Sequence, residues 1–260
     1  MAFAQTARRP IEGAVATLGV SDRVTFLRKT YAHLGVALIA FALATGFMIR
    51  FMTETSLKWS LWASTSSMHW LVVIGLFMVV NMAANRLAMS PTSRAVQYAG
   101  LAITVAAWTF LIQPMIWYAM FKFGDPAAML ANDGVQAILS PKAAAVIMES
   151  VGITLAIFIG LTVTVFVTKK DFSFMRSALV ACSFAALGTI VASLIFGFSL
   201  GAIFSGVIVL LMAGYILYQT SLVMSYFPPT GYVAASMMLF STVATLFMHV
   251  LRIMSSVNRR

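Results

Sequence analysis

The sequence predicts an all-α membrane protein, a bundle of seven transmembrane helices, and three observations carry that prediction. Of its 260 residues, 61% are hydrophobic and only 9% charged, against roughly 25% charged residues in a soluble domain. The apolar residues gather into seven runs, each long enough to cross a hydrocarbon layer about 30 Å thick, which takes roughly 17 to 25 helical residues. Six of the seven carboxylates (Glu12, Asp22, Glu54, Asp125, Asp133 and Asp171) fall outside those runs, so Glu149 is the one acid placed inside a span.

In chain order, residues 1–29 come first, polar and carrying Arg8, Arg9, Arg23, Arg28 and Lys29. They contain no apolar stretch ending in a small-residue cleavage site, so they read as a mobile basic tail and not as a removable leader. The spans follow as Thr30 to Ile49, Trp70 to Leu87, Ala95 to Met120, Ala143 to Thr168, Ser177 to Phe196, Gly201 to Ser221 and Tyr232 to Ile253. Turn and polar signals separate them: "TETS", "MSPTSR", "FGDPAAMLANDG", "TKKDFSF", "GFSLG" and "FPPTG". The membrane domain thus covers 30–254, and 255–260 form a short basic C-terminal tail.

The net charge of +10 does not point to nucleic acid, because the seventeen Lys and Arg are scattered around apolar segments without a dense basic face. Their distribution sets orientation instead. With seven spans, the side of the N-terminus carries 10 of them and the opposite side 7, which favours a cytoplasmic N-terminus. If the last segment were re-entrant, Arg252, Arg259 and Arg260 would change sides and the balance would be 13 to 4, so a six-span alternative stays open. Trp59, Trp62, Trp70 and Trp117 lie near the first and third loops, as an interfacial belt would, so those loops are expected on one face.

Helices in lipid approach through small residues. Gly152, Ala156 and Gly160 form such a ridge on the fourth span, and Gly197 with Gly201 flanks the turn before the sixth. Cys182 is the only cysteine, which excludes an intramolecular disulfide, and its apolar setting gives it a packing role. No metal centre or cofactor is expected. "GFSLG" matches the G-x-S-x-G nucleophile pattern at Ser199, with His249 on a later helix, but five residues of this kind arise easily in membrane turns. An aspartyl protease would need two membrane aspartates, and a retinal protein a lysine after Lys170; the sequence has neither. The expected protein is not an enzyme.

Four stretches in order, "FLRKTYAHL", "TKKDFSFM", "ILYQTS" and "LFMHVLRI", resemble the transmembrane Bax-inhibitor-motif family, especially its bacterial branch, from Phe26 to Met254. The resemblance implies a bundle with its last helix near the centre. It also implies a pH-sensitive calcium leak, suppression of cell death and, in bacteria, modulation of a membrane-bound ATP-dependent protease. In the calcium-leak members two aspartates on the sixth and seventh spans pair near a basic residue. Matched by position these fall on Gln219, Thr242 and Arg86, while the glutamate of a bacterial subgroup falls on Met238.

Gln219 keeps the shape and the carbonyl acceptor of an acid side chain but cannot titrate. Two readings follow. Gln219, Thr220, Ser221, Thr242 and Thr245 tie two helices together, or they line an ion path that has lost its acidic pair. Glu149, roughly 10 Å into its span, is either a functional intramembrane acid or an interfacial one. Arg86 and Arg252 read as snorkelling anchors, and His33 and His249 as packing residues that could also titrate. The expected partners are the lipid bilayer, calcium ions or a membrane-bound protease.

Overall fold

The computed structural model describes residues 15–17, 19–90, 93–124 and 140–258. The expected loop acids Asp125 and Asp133, and Glu12, Arg8, Arg9, Arg259 and Arg260 of the tails, lie outside the described residues. Eight α-helices are present among those described: α1 (Val20–Phe51), α2 (Thr53–Thr65), α3 (Ser67–Ala88), α4 (Arg94–Phe123), α5 (Pro141–Thr168), α6 (Arg176–Phe196), α7 (Ala202–Ser225) and α8 (Tyr232–Val257). All except α2 are long and apolar enough to cross a membrane. Their outer surface carries rows of exposed Leu, Ile, Val and Phe, as contact with lipid tails requires.

The helix α8 is the axis of the bundle. Its 26 residues rise about 39 Å, 72% of its apolar window is buried, and it packs against α7, α1, α4 and α5. At one end Arg94, the first residue of α4, donates to the hydroxyl of Tyr232 at 2.9 Å. At the other, Lys122 near the end of α4 donates to the carbonyl of Ser255, and Arg252 Nη2 to that of Leu200 at 2.6 Å. The helix therefore runs the full depth of the bundle. The re-entrant alternative is not what the structure shows, and the two ends of the described chain lie on opposite faces.

Several sequence expectations are corrected. Ten residues assigned to the polar tail already belong to α1, and Val15 is fully buried with its N–H donating to the carbonyl of Phe227 at 2.9 Å. At the other end α8 continues to Val257, past the expected boundary at 254. The first loop is a helix, α2, whose short side chains Ser56, Ser60 and Ala63 face inward. The ridge of Gly152, Ala156 and Gly160 points outward, and Gly152 and Gly160 have open space where a Cβ would stand. The packed face of α5 is Ser150, Thr154, Phe158, Thr162 and Val165. Cys182 is exposed on α6, so packing is not its role. Gly197 takes positive φ (75°) and ends α6, where a glycine meets no Cβ penalty.

The close helix approach lies elsewhere, at Gly100. A Cβ there would stand 2.5 Å from the carbonyl oxygen of Ala84 and 2.7 Å from the nitrogen of Ala88, so α3 and α4 touch backbone to backbone. A second device fixes α2 on α4. Pro114, inside α4, has no N–H to give the carbonyl of Phe110 four residues earlier. The indole N–H of Trp59 donates to that carbonyl instead, at 2.9 Å. One turn on, Ser56 donates to Gln113 Oε1 and accepts from Trp117 Nε1, both at 2.8 Å. The helix α2 thus lies beside the C-terminal half of α4, the third expected loop lies outside the described residues, and Trp117 is a core residue, 1% exposed, and no part of a lipid-facing belt.

Two predictions follow from this packing. Gly100→Ala is expected to destabilise the protein by about 2 kcal/mol or more, because only backbone atoms are there to give way. Trp59→Phe leaves the Phe110 carbonyl unpaired, a loss of about 1 to 2 kcal/mol, whereas Trp62→Phe, with an indole that bonds nothing described, is nearly neutral. Thermal unfolding in detergent measures all three, and equal losses at Trp59 and Trp62 would refute the capping role. Reporters placed ahead of Val15 and after Val257 are expected to report opposite compartments.

Candidate functional site

The side chains of Gln219 and Thr242 meet inside the bundle. Gln219 lies on α7, about 9 Å before its last residue, and Thr242 on α8, about 15 Å after its first. Both are buried, and Thr242 Oγ1 donates to Gln219 Oε1 at 2.8 Å, with a longer 3.3 Å contact to the carbonyl of Met238 in its own helix. The Gln219 amide nitrogen has no partner among the described residues. Its two N–H donors are free for a guest or for water.

That amide lines a cavity of about 520 Å³ between α3, α7 and α8. Asn81, Asn85, Tyr215, Gln219, Ser241, Thr242 and Thr245 give it polar walls, and Met82, Met89, Met212, Met237 and Met238 soft apolar ones. No charged residue lines it. The amide and hydroxyl oxygens are hard neutral donors, suited to a weakly held cation that keeps part of its water, while the absence of carboxylates rules out the strong binding that charge supplies. Met238, where the resembling bacterial subgroup carries an acid, faces the same space. A larger groove of about 720 Å³ between α1 and α4 is lined by Phe47, Phe51, Phe110 and other apolar groups and brings no comparable chemistry.

The other candidate residues are placed as follows. Thr245 lines the cavity but spends its hydroxyl proton on the carbonyl of Ser241. Ser221 donates to Tyr218 O and accepts from the N–H of Phe172, and the hydroxyl of Thr220 is buried beside that of Tyr31. Of the five residues expected to tie the two helices, only Gln219 and Thr242 do so by a hydrogen bond. Arg86 is exposed and does not line the cavity; Asn85 and Asn81, on the same helix, take that place. The sequence reading missed both asparagines.

Glu149 is exposed on the outer face of α5, far from an inward-facing acid. His33 lies about 20 Å along α1, bonded to Tyr98, and His249 is buried in the last third of α8 against Phe204. Neither reaches the cavity. Among the described residues Ser199 is exposed and makes no bond to His249, and "GFSLG" forms the turn that ends α6. Among the described residues no group of three His, Cys, Asp or Glu side chains could hold a metal ion.

Comparison with known proteins decides the family. The family model described as "Inhibitor of apoptosis-promoting Bax1" matches residues 23–259. The chain belongs to the Bax inhibitor family. It is 26% identical to Bax inhibitor 1 of Schizosaccharomyces pombe over 246 residues, 92% of this chain and 79% of that protein. An uncharacterised protein of Pseudomonas aeruginosa is 33% identical over 114 residues, 44% of this chain and 51% of the relative. A membrane protein of Vibrio cholerae is 29% identical over 156 residues, 58% and 63% respectively. The chain thus spans about half to two thirds of these two bacterial relatives. No solved structure matches it.

As the only side-chain bond joining α7 to α8 among the described residues, the Gln219–Thr242 contact has a measurable weight. Gln219→Leu is expected to lower stability by about 0.6 to 1.7 kcal/mol, the range of interhelical polar contacts in membranes. Thermal unfolding of Gln219→Leu, Thr242→Val and the double variant tests this: the double variant is expected to lose less than the two single losses together.

Proposed function

We propose that this Bax inhibitor family member is a non-enzymatic membrane protein that provides a weak cation leak, calcium included, through the neutral cavity between α3, α7 and α8, without the acidic pair that would make the leak pH-sensitive. The observation that carries this reading is the Gln219–Thr242 bond set in a wall of amide and hydroxyl oxygens, about 9 to 15 Å in from the end at which α8 begins. A buried pair of carboxylates keeps a proton through mutual repulsion and burial and so changes charge with pH. An amide and a hydroxyl at the same places cannot change charge in that range. The protein is read as a resident of a bacterial inner membrane with its N-terminus in the cytoplasm, on the distribution of Lys and Arg.

Flux through liposomes holding purified protein tests the reading. The wild type is expected to pass calcium slowly and without a steep titration between about pH 5 and 8. Gln219→Asp with Thr242→Asp is expected to create a pH-dependent leak, and each single change to do less because no pair forms. A steep wild-type titration that persists after His33, His249 and Glu149 are neutralised would refute the account. No flux in either the wild type or the double variant would favour instead a non-transporting partner of a membrane-bound ATP-dependent protease.

A further inference from the structure

At the end of the bundle where α1, α4 and α8 begin, two cations converge on one buried ring. The Nζ of Lys29 lies 5.6 Å and the guanidinium carbon of Arg94 5.7 Å from the centroid of Tyr232, which is itself 4% exposed. Arg94 also donates to the Tyr232 hydroxyl, which holds its guanidinium in place. His33 closes the side of the cluster. Its Nδ1 lies 2.7 Å from the carbonyl of Lys29, an atom that only accepts, so Nδ1 donates there, and Nε2 lies 2.9 Å from the hydroxyl of Tyr98. The imidazole is stacked on Tyr98 and tilted against Tyr232.

No described acid forms a salt bridge with Lys29 or Arg94. Asp171, at the same end, is engaged by the Tyr226 hydroxyl and the N–H of Ser173. Two fixed like charges around one ring repel each other, and a bound anion removes that repulsion. The donors for it are the remaining guanidinium N–H groups of Arg94 and the three of Lys29, both exposed, beside the start of α4, where the positive end of the helix dipole lies and Ser93 gives no side-chain cap.

We propose that Lys29, Arg94 and the start of α4, ordered around Tyr232, form a seat for a phosphate-type anion. Its occupant is the headgroup of an anionic phospholipid in the leaflet at that end. The site lies where a span leaves the hydrocarbon, which is the depth of headgroup phosphates. It is separate from the neutral cavity and does not depend on ion flux.

Delipidated protein in detergent, titrated with phosphatidylglycerol, phosphatidylcholine or glycerol phosphate and read by native mass spectrometry and thermal unfolding, tests the proposal. Phosphatidylglycerol is expected to bind and stabilise at least about tenfold more tightly than phosphatidylcholine, and Lys29→Gln with Arg94→Gln to abolish that preference. Arg28→Gln with Lys170→Gln removes the same charge from the same end and is expected to leave it within about twofold. Should the first double variant not fold, the single change Lys29→Gln, on an exposed side chain, carries the test with a loss of about fivefold. Unchanged preference in the Lys29 and Arg94 variants, or an equal loss in the control pair, would overturn the site. Glycerol phosphate binding as tightly as the lipid and displacing it would overturn the lipid and leave a soluble phosphate as the ligand.

Discussion

Hydrocarbon offers no hydrogen bonds, and the structure is organised around that fact: a backbone polar group inside the layer must find its partner within the protein. Pro114 shows the rule at its most local. Having no N–H, it strands the carbonyl of Phe110, and the bond from Trp59 that satisfies this carbonyl also holds α2 against α4. Ser56, Gln113 and Trp117 extend the same clamp with each donor matched to an acceptor. A helix too short to span the membrane is thus fixed by a defect in one that does.

The same constraint explains the chemistry at the centre. A buried ionised pair would carry a desolvation penalty of several kcal/mol per ion, whereas an amide and a hydroxyl that bond each other can be buried with little loss. Thr242 satisfies the Gln219 carbonyl across α7 and α8, and the amide N–H groups face the cavity. The charge that the core excludes is gathered at the two ends. At the end where α8 begins, it stands on Lys29 and Arg94 around Tyr232; at the other, Lys122 and Arg252 serve as donors to backbone carbonyls. Fixed charge and the neutral cavity are therefore found in different parts of the molecule.

The spans were legible because length and hydropathy answer directly to the thickness of the layer. The finer features were not, and the reasons are specific. The helix α2 mixes Glu54, Lys58 and Trp59 with an inward face of Ser56, Ser60 and Ala63, so neither its composition nor an apolar stripe announced it. Gly152, Ala156 and Gly160 had the spacing of a contact ridge, but spacing does not say which way a face points. Gly100 lacked that spacing within its own helix, since its partners Ala84 and Ala88 lie on α3. The pairing of Gln219 with Thr242, across 23 residues, was approached only through the family resemblance. Nothing in one sequence linked Asn81 and Asn85 to it.

One signal in the sequence did bear on the arrangement of the helices and could have been used further. Among the seven spans, α4 and α8 are the least hydropathic and the most buried, while α6, among the most hydropathic, is the least buried. The order is the reverse of a soluble core, and it has a physical cause. A span facing lipid on most sides can carry few polar groups, since lipid supplies no partners. A span surrounded by other helices can carry many, because its neighbours do. The helix α8 holds Ser236, Thr242, His249 and Ser255 among its buried residues, and α4 holds Thr104, Thr109 and Gln113. The two most polar spans are therefore the two most central, while α3, third in polarity but only 17% buried, shows that polarity alone does not order the rest.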